Sequence, residues 1–276
     1  MEEGLVTLPQ GDRYAWWSKH PTSEIAVVML HGACARGDQF SDLLSGLQPH
    51  CSVATYDRVG CGKSPKPTDW HEYASERMVD EAVSFCKMFG GKRTVLIGHS
   101  YGALLAFQVH QRLKEDAAVR VERLVLIGSA LNAASGAAMA VFYLPEFLLA
   151  RMQPAMTDGF IAGAFHPSAS PELVERERGL ANANPMGMCK AFYRQLRWAL
   201  QQAAAGGEKV PVLLIHGRAD GLTPLSQAEA LEAHLTETGW QPQLVCVEEA
   251  SHQVMQEKPA KVVDLVLGEV LGNEAA

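Results

Sequence analysis

The sequence predicts an α/β protein built on a doubly wound, mostly parallel sheet, with a helical cap inserted after the sixth strand. Three observations point there. Short apolar runs rich in Val, Ile and Leu recur along the chain, amphipathic stretches at helical spacing separate them, and this alternation breaks between 129 and 209.

The opening "GLVTLPQGDRYAWWSK" (4–19) reads as an antiparallel hairpin at one edge of the sheet. "IAVVML" (25–30), "SVATYD" (52–57), "TVLIG" (94–98), "RLVLIG" (123–128), "VPVLLIHG" (210–217) and "QLVCVE" (243–248) are continuous apolar runs without alternation, and they predict strands buried on both faces. Helical patterns fall near 37–48, 71–89, 101–117, 224–237 and 255–271. The gap after "RLVLIG" is too long for one crossover helix. Rich in Ala, Met and Phe, with turn signals at Pro145, Pro154, Pro167, Pro171 and Pro185, it predicts four or so short helices forming a cap over 132–207, set into a core of 1–131 and 208–276. Its longest apolar stretch, "AASGAAMAVFYLPEFLLA", is broken by Pro145 and Glu146, so it does not read as a membrane span, though the cap is a candidate surface for peripheral lipid contact.

Composition narrows the partners. The 24 Lys and Arg against 31 Asp and Glu leave a net charge of −7, so there is no basic surplus for nucleic acid, and a small organic substrate is expected. The start "MEEGLVTLPQGDRY" has acids where a secretory signal carries bases before an apolar run, which predicts a cytosolic chain. Cys34, Cys51, Cys61, Cys86, Cys189 and Cys246 lack C-x-x-C spacing, and no H-E-x-x-H motif appears; reduced thiols are expected, with neither metal nor cofactor.

The chemistry concentrates after strands. "GHSYGA" (98–103) follows "TVLI" and precedes the helical pattern "ALLAFQVHQRL", which fits the strand-turn-helix elbow G-x-S-x-G and makes Ser100 the candidate nucleophile. A serine hydroxyl needs a base within reach, itself oriented by a carboxylate. Asp220 in "LLIHGRADGLTP" and His252 in "VEEASHQVMQEKP" each lie just beyond a strand end, where open α/β sheets gather their ligand groups. Asp220 has a second reading as an Asx turn or helix cap, His252 as an exposed loop residue, and Glu248 and Glu249 compete as the acid although they lie close before His252. An oxyanion needs donors, and the backbone N–H groups of Tyr101, after the serine, and Ala33, in "LHGACARGDQF", are the candidates. His31 and His99, beside tight turns, are expected to tie loops together, and Cys34, which has no assigned base, to pack against or contact substrate.

In order and separation, "LHGACARGDQF", "YDRVGCGKS", "GHSYGA", "HGRADGLTP" and "SHQVMQEKP" resemble the α/β-hydrolase-fold family over about residues 25–270, most nearly its capped serine-hydrolase branch, the abhydrolase-domain proteins. The resemblance implies Ser100 as nucleophile, Asp220 as acid, His252 as base and Ala33 with Tyr101 as oxyanion donors. It also implies that Asp57, Gly60 and Gly62 shape the floor of the site without chemistry of their own. Ser100 stands where members that are dehalogenases or epoxide hydrolases carry Asp, which argues against those reactions. The cap matches no motif residue by residue. Phe142, Met156 and Phe160 are its candidate substrate contacts, and Met139, Met152, Met156, Met186 and Met188 could line an apolar tunnel. The expected activity is hydrolysis of an ester or thioester with an apolar acyl or alcohol part through an acyl-enzyme. The same triad could instead serve carbon–carbon bond hydrolysis or acyl transfer, and the fold could be a non-catalytic receptor or scaffold.

Overall fold

The apolar runs form a single sheet. The computed structural model describes residues 1–91, 93–132, 139–198, 200–206 and 208–271. Its strands are β1 (Glu2–Leu8), β2 (Gly11–Ser18), β3 (Ile25–Leu30), β4 (Ser52–Tyr56), β5 (Arg93–His99), β6 (Val121–Ile127), β7 (Pro211–Gly217) and β8 (Gln241–Val247). They lie in the spatial order β1-β2-β4-β3-β5-β6-β7-β8. β1 and β2 form the antiparallel edge hairpin and β2 joins β4 antiparallel, while every pair from β4 onward is parallel.

Side-chain alternation divides the core between the two faces. Val28 is in register with Ala54 and Leu96, Leu96 with Leu124, and Leu124 with Val212. These five pack in one cluster with helices α2 (Ser75–Phe89) and α3 (Tyr101–Leu113). One residue along each strand, Met29, Ile97, Val125 and Leu213 point the other way, into a cluster with α1 (Ser41–Leu47) and α10 (Pro259–Leu271). β3 is buried along its whole length because helices cover both faces. β8 departs from the expectation of burial on both faces: most of its residues are partly or fully exposed. Among the described residues it is the last strand of the sheet, with β7 on one side and none beyond, so its outer edge is open although Leu244 packs into one core cluster and Val245 and Val247 into the other.

Between β6 and β7 the described residues form four α-helices: α4 (Glu146–Ala164), α5 (Pro171–Asn182), α6 (Met186–Gln195) and α7 (Leu200–Ala205). Residues 133–138, 199 and 207, part of the predicted 132–207 insertion, lie outside the described residues. Ser170 caps α5 through its hydroxyl, which accepts from Leu173 N–H (3.1 Å), and Pro171 follows at the first helical position. This helical segment touches several loops at the carboxyl end of the sheet. Gly163 O accepts from Gly221 N–H (3.1 Å), Ala164 O accepts from Gln253 N–H (3.1 Å), and Asn184 Nδ2 donates to Cys34 O (2.9 Å).

α8 (Leu225–Glu237) lies between β7 and β8, and the short α9 (Val254–Glu257) follows β8. No described helix is long and apolar enough to cross a membrane. Closeness is greatest where β5 turns into α3: a Cβ on Gly102 would lie 1.9 Å from Leu30 O, and one on Gly98 would lie 2.3 Å from Gly102 O. Gly102→Ala is therefore expected to lower stability by about 1–3 kcal/mol or more, through forced backbone movement. The urea midpoint measures this, and an unchanged midpoint would show slack in the turn.

Candidate active site

β5 ends at His99, α3 begins at Tyr101, and Ser100 makes the turn with φ 54° and ψ −117°. That conformation is strained for a residue with a Cβ and projects the side chain off the sheet edge. Backbone bonds hold it: Ser100 N–H donates to Ile127 O (2.9 Å), and Ala103 N–H donates to Ser100 O (2.9 Å). The loop after β3 lies alongside, since a Cβ on Gly32 would be 3.4 Å from Ser100 Cβ. Ala33 and Tyr101 thus flank the serine from β3 and β5, the strands at which the chain's winding reverses direction.

Asp220 and His252 come together from the loops after β7 and β8. Both are buried, and His252 Nδ1 is 2.8 Å from Asp220 Oδ2. The other oxygen, Oδ1, accepts from Leu222 N–H (2.9 Å) and Thr223 N–H (2.8 Å). The Asx turn and the histidine contact are therefore not alternatives, because one carboxylate makes both with different oxygens. Burial opposes ionisation of Asp220, yet the hydrogen bond and charge of His252 and the Thr223 amide outweigh it and hold the carboxyl below its usual range. Glu248 faces Arg218 (2.5 Å) and Glu249 faces Lys258 (3.3 Å), so neither competes for the imidazole. The end of β6 links the two halves. Next to Ile127, which holds Ser100, a Cβ on Gly128 would sit 3.1 Å from His252 Nδ1.

Two residues that the sequence did not single out join this group. The Thr223 hydroxyl is 3.0 Å from Asp220 Oδ2 and 2.9 Å from His252 Nδ1, closing a triangle with carboxylate and imidazole. His216 Nε2 donates to Thr223 O (2.8 Å) and lies 3.4 Å from Asp220 Oδ2. The only sequence signal for either was position, His216 at the end of its strand and Thr223 ahead of a helix.

His99 and His31 tie loops. His99 Nε2 donates to His252 O (3.1 Å), while His99 Nδ1 meets the Gln39 amide (3.3 Å). Burial, then the neighbouring His252, push the His99 pKa down to about 3, so it stays neutral. His31 Nδ1 donates to Gly32 O (2.8 Å), and its Nε2 accepts from Arg58 N–H (3.1 Å). Asp57 accepts from Gly37 N–H (2.8 Å) and Lys63 N–H (2.7 Å), bracing the loop after β4.

The substrate candidates separate. Phe160 is exposed and borders a small cavity of about 50 Å³ beside Ala33 and Cys34. Arg36, Gln39, Glu177 and Gln253 also line that cavity, giving it a more polar wall than an apolar tunnel would have. Phe142 is buried instead, its ring stacked on Tyr193 at 4.3 Å, and Met156 packs half-buried against the same cluster. The methionines do not share one lining: Met152 is exposed, while Met186 and Met188 are buried in the main core. Hydrogen bonding with Cys189, then burial, raise the Cys34 thiol well above its ordinary range, which suits packing better than nucleophilic attack. A larger crevice of about 470 Å³ opens at the opposite edge, near Arg93, His110 and Arg120 at the amino ends of β5 and β6.

Comparison with known proteins agrees with this architecture. Residues 27–265 match the alpha/beta hydrolase family, and the chain belongs to that family. Protein ABHD8 of Bos taurus is 27% identical over 217 residues, 78% of this chain and 48% of that protein, so the chain spans about half the length of this relative. A proline iminopeptidase of Lactobacillus crispatus is 22% identical over 269 residues, 87% of this chain and 88% of that protein. Among solved structures, a thermophilic esterase from Thermogutta terrifontis superposes with a TM-score of 0.80 at 19% identity, covering 99% of both chains.

Proposed function

We propose that the protein is a serine hydrolase that cleaves a carboxylic ester or thioester with an apolar acyl or alcohol part. His252 takes the Ser100 proton on Nε2 as the hydroxyl attacks the carbonyl, and Asp220 holds Nδ1–H and steadies the imidazolium. The amides of Ala33 and Tyr101 receive the oxyanion. His252 then protonates the leaving group, and water, activated by the same imidazole, releases the acid from Ser100. No step calls for a cofactor.

The observation that carries the reading is the buried 2.8 Å contact between His252 and Asp220, on the same sheet edge as the strained turn at Ser100. Names of similar proteins agree in kind, since they include an esterase and a proline iminopeptidase. The test is labelling by a fluorophosphonate, followed by mass mapping. One adduct on Ser100 supports the reading, whereas no labelling of folded protein points to a binding scaffold.

In this reading the helices of 132–207 form a cap that selects substrate. The cavity of about 50 Å³ beside Ala33 is bordered by Phe160 of α4 and Leu180 of α5, side chains that an acyl chain entering there would meet. Apolar burial at about 25 cal/mol per Å² favours medium chains over acetyl. Accordingly kcat/KM is expected to rise from acetyl to roughly hexanoyl or octanoyl esters, and Phe160→Ser to flatten the rise with little change in melting temperature. Phe142→Ser should act through stability instead, costing about 3–5 kcal/mol as a buried aromatic is lost. Acetyl esters turning over fastest in both parent and Phe160→Ser would remove the cap from substrate selection.

A further inference from the structure

Arg58, in the loop after β4, is 1% exposed, and among the described residues it pairs with no carboxylate. The nearby Glu81 is already engaged by Arg13 (2.6 Å) and by Val59 N–H (3.1 Å). Instead the two terminal nitrogens of Arg58 donate to the carbonyls of His31 and Gly32, the latter at 2.5 Å, and Nε has no partner. Its guanidinium carbon lies 5.1 Å from the centre of the Tyr101 ring. A buried cation with an orphaned donor and no counter-ion is costly, and packing alone does not explain it.

Its contacts surround the candidate oxyanion site. A trans peptide points its C=O and N–H in opposite directions, so whatever fixes Gly32 O also aims Ala33 N–H. Gly32 O receives Arg58 from one side and His31 Nδ1–H (2.8 Å) from another, and Arg58 N–H in turn fixes the His31 tautomer through Nε2 (3.1 Å). Burial, then the Arg58 charge, keep that imidazole neutral, as this arrangement requires. We infer that Arg58 is a positioning residue for the oxyanion hole: its fork clamps the carbonyls of His31 and Gly32, thereby aiming Ala33 N–H, and its uncompensated charge favours the anion that develops there. The inference rests on the serine-hydrolase reading above.

The test uses the full chain with Arg58→Gln and Arg58→Lys, and reads kcat, KM, inhibition by an alkylboronic acid that mimics the tetrahedral state, and melting temperature. Arg58→Gln is expected to lower kcat about 10- to 100-fold and to weaken boronate binding by a similar factor, with KM held within about threefold. Arg58→Lys, which keeps the charge but not the fork, should fall between parent and Arg58→Gln. A folded Arg58→Gln with parental kcat and boronate affinity, or with a loss in KM alone, overturns the inference. If Arg58→Gln does not fold, Arg58→Lys decides: reduced kcat at steady KM supports the clamp, and parental kcat overturns it. Ser100→Ala runs in parallel. If it stays active, the hydrolase reading fails and takes the Arg58 role with it; if it is inert while folded Arg58 variants keep parental kcat, only the Arg58 role fails.

Discussion

Ser100→Ala is expected to abolish ester turnover, with kcat falling by about 10⁴-fold or more while the fold is kept. The structure indicates why the two effects should separate. The turn at φ 54° and ψ −117° is held through backbone groups, Ser100 N–H to Ile127 O and Ala103 N–H to Ser100 O, and alanine keeps both. Alanine also keeps the Cβ and its strain, so the melting temperature should hardly move. Ser100→Gly, which relieves the positive φ, should be as stable or more so, and equally inert. Steady-state hydrolysis of a p-nitrophenyl ester, with circular dichroism on the same preparation, measures both quantities. Near-parental turnover by Ser100→Ala would assign the nucleophile elsewhere.

Asp220→Asn should cost nearly as much, about 10³- to 10⁴-fold in kcat, for a reason of polarity rather than shape. Asparagine can keep an oxygen where Oδ1 accepts from Leu222 and Thr223, so the loop after β7 should survive. Its NH₂ then replaces Oδ2 and donates where the carboxylate accepted, 2.8 Å from His252 Nδ1. His252 would be driven to the tautomer protonated on Nε2, which cannot take the serine proton. Thr223 adds to this mismatch, because its hydroxyl contacts the same two atoms. Full activity in Asp220→Asn would move the acid role to Glu248 or Glu249, despite their pairing with Arg218 and Lys258.

These expectations draw unequally on sequence and structure. The sheet was legible because β3, β5 and β7 are buried on both faces, and burial of that kind demands continuous apolar runs that stand out in one dimension. The turn at Ser100 was legible because close approach excludes side chains at Gly98 and Gly102. Asp220 and His252 could be nominated from their places just after strands. In each case a local chemical requirement leaves a local mark.

By itself, then, the sequence determined the doubly wound sheet, the glycine-bracketed turn and the set of polar residues at strand ends. Tertiary structure alone decided which of those polar groups meet, because hydrogen bonds between loops separated by tens of residues leave no spacing rule behind. It split the Asp220 carboxylate between a turn and an imidazole and brought the Thr223 hydroxyl to both. It placed Phe160 at the cavity and Phe142 in the core, although both are aromatic residues of the same insertion, because orientation across a fold is set by the partner surface. It made β8 an edge, since an apolar run is the same string whether or not another strand pairs beyond it. And it buried Arg58 beneath the loop after β3, where it meets two carbonyl oxygens brought to it by the pairing of β3 with β4.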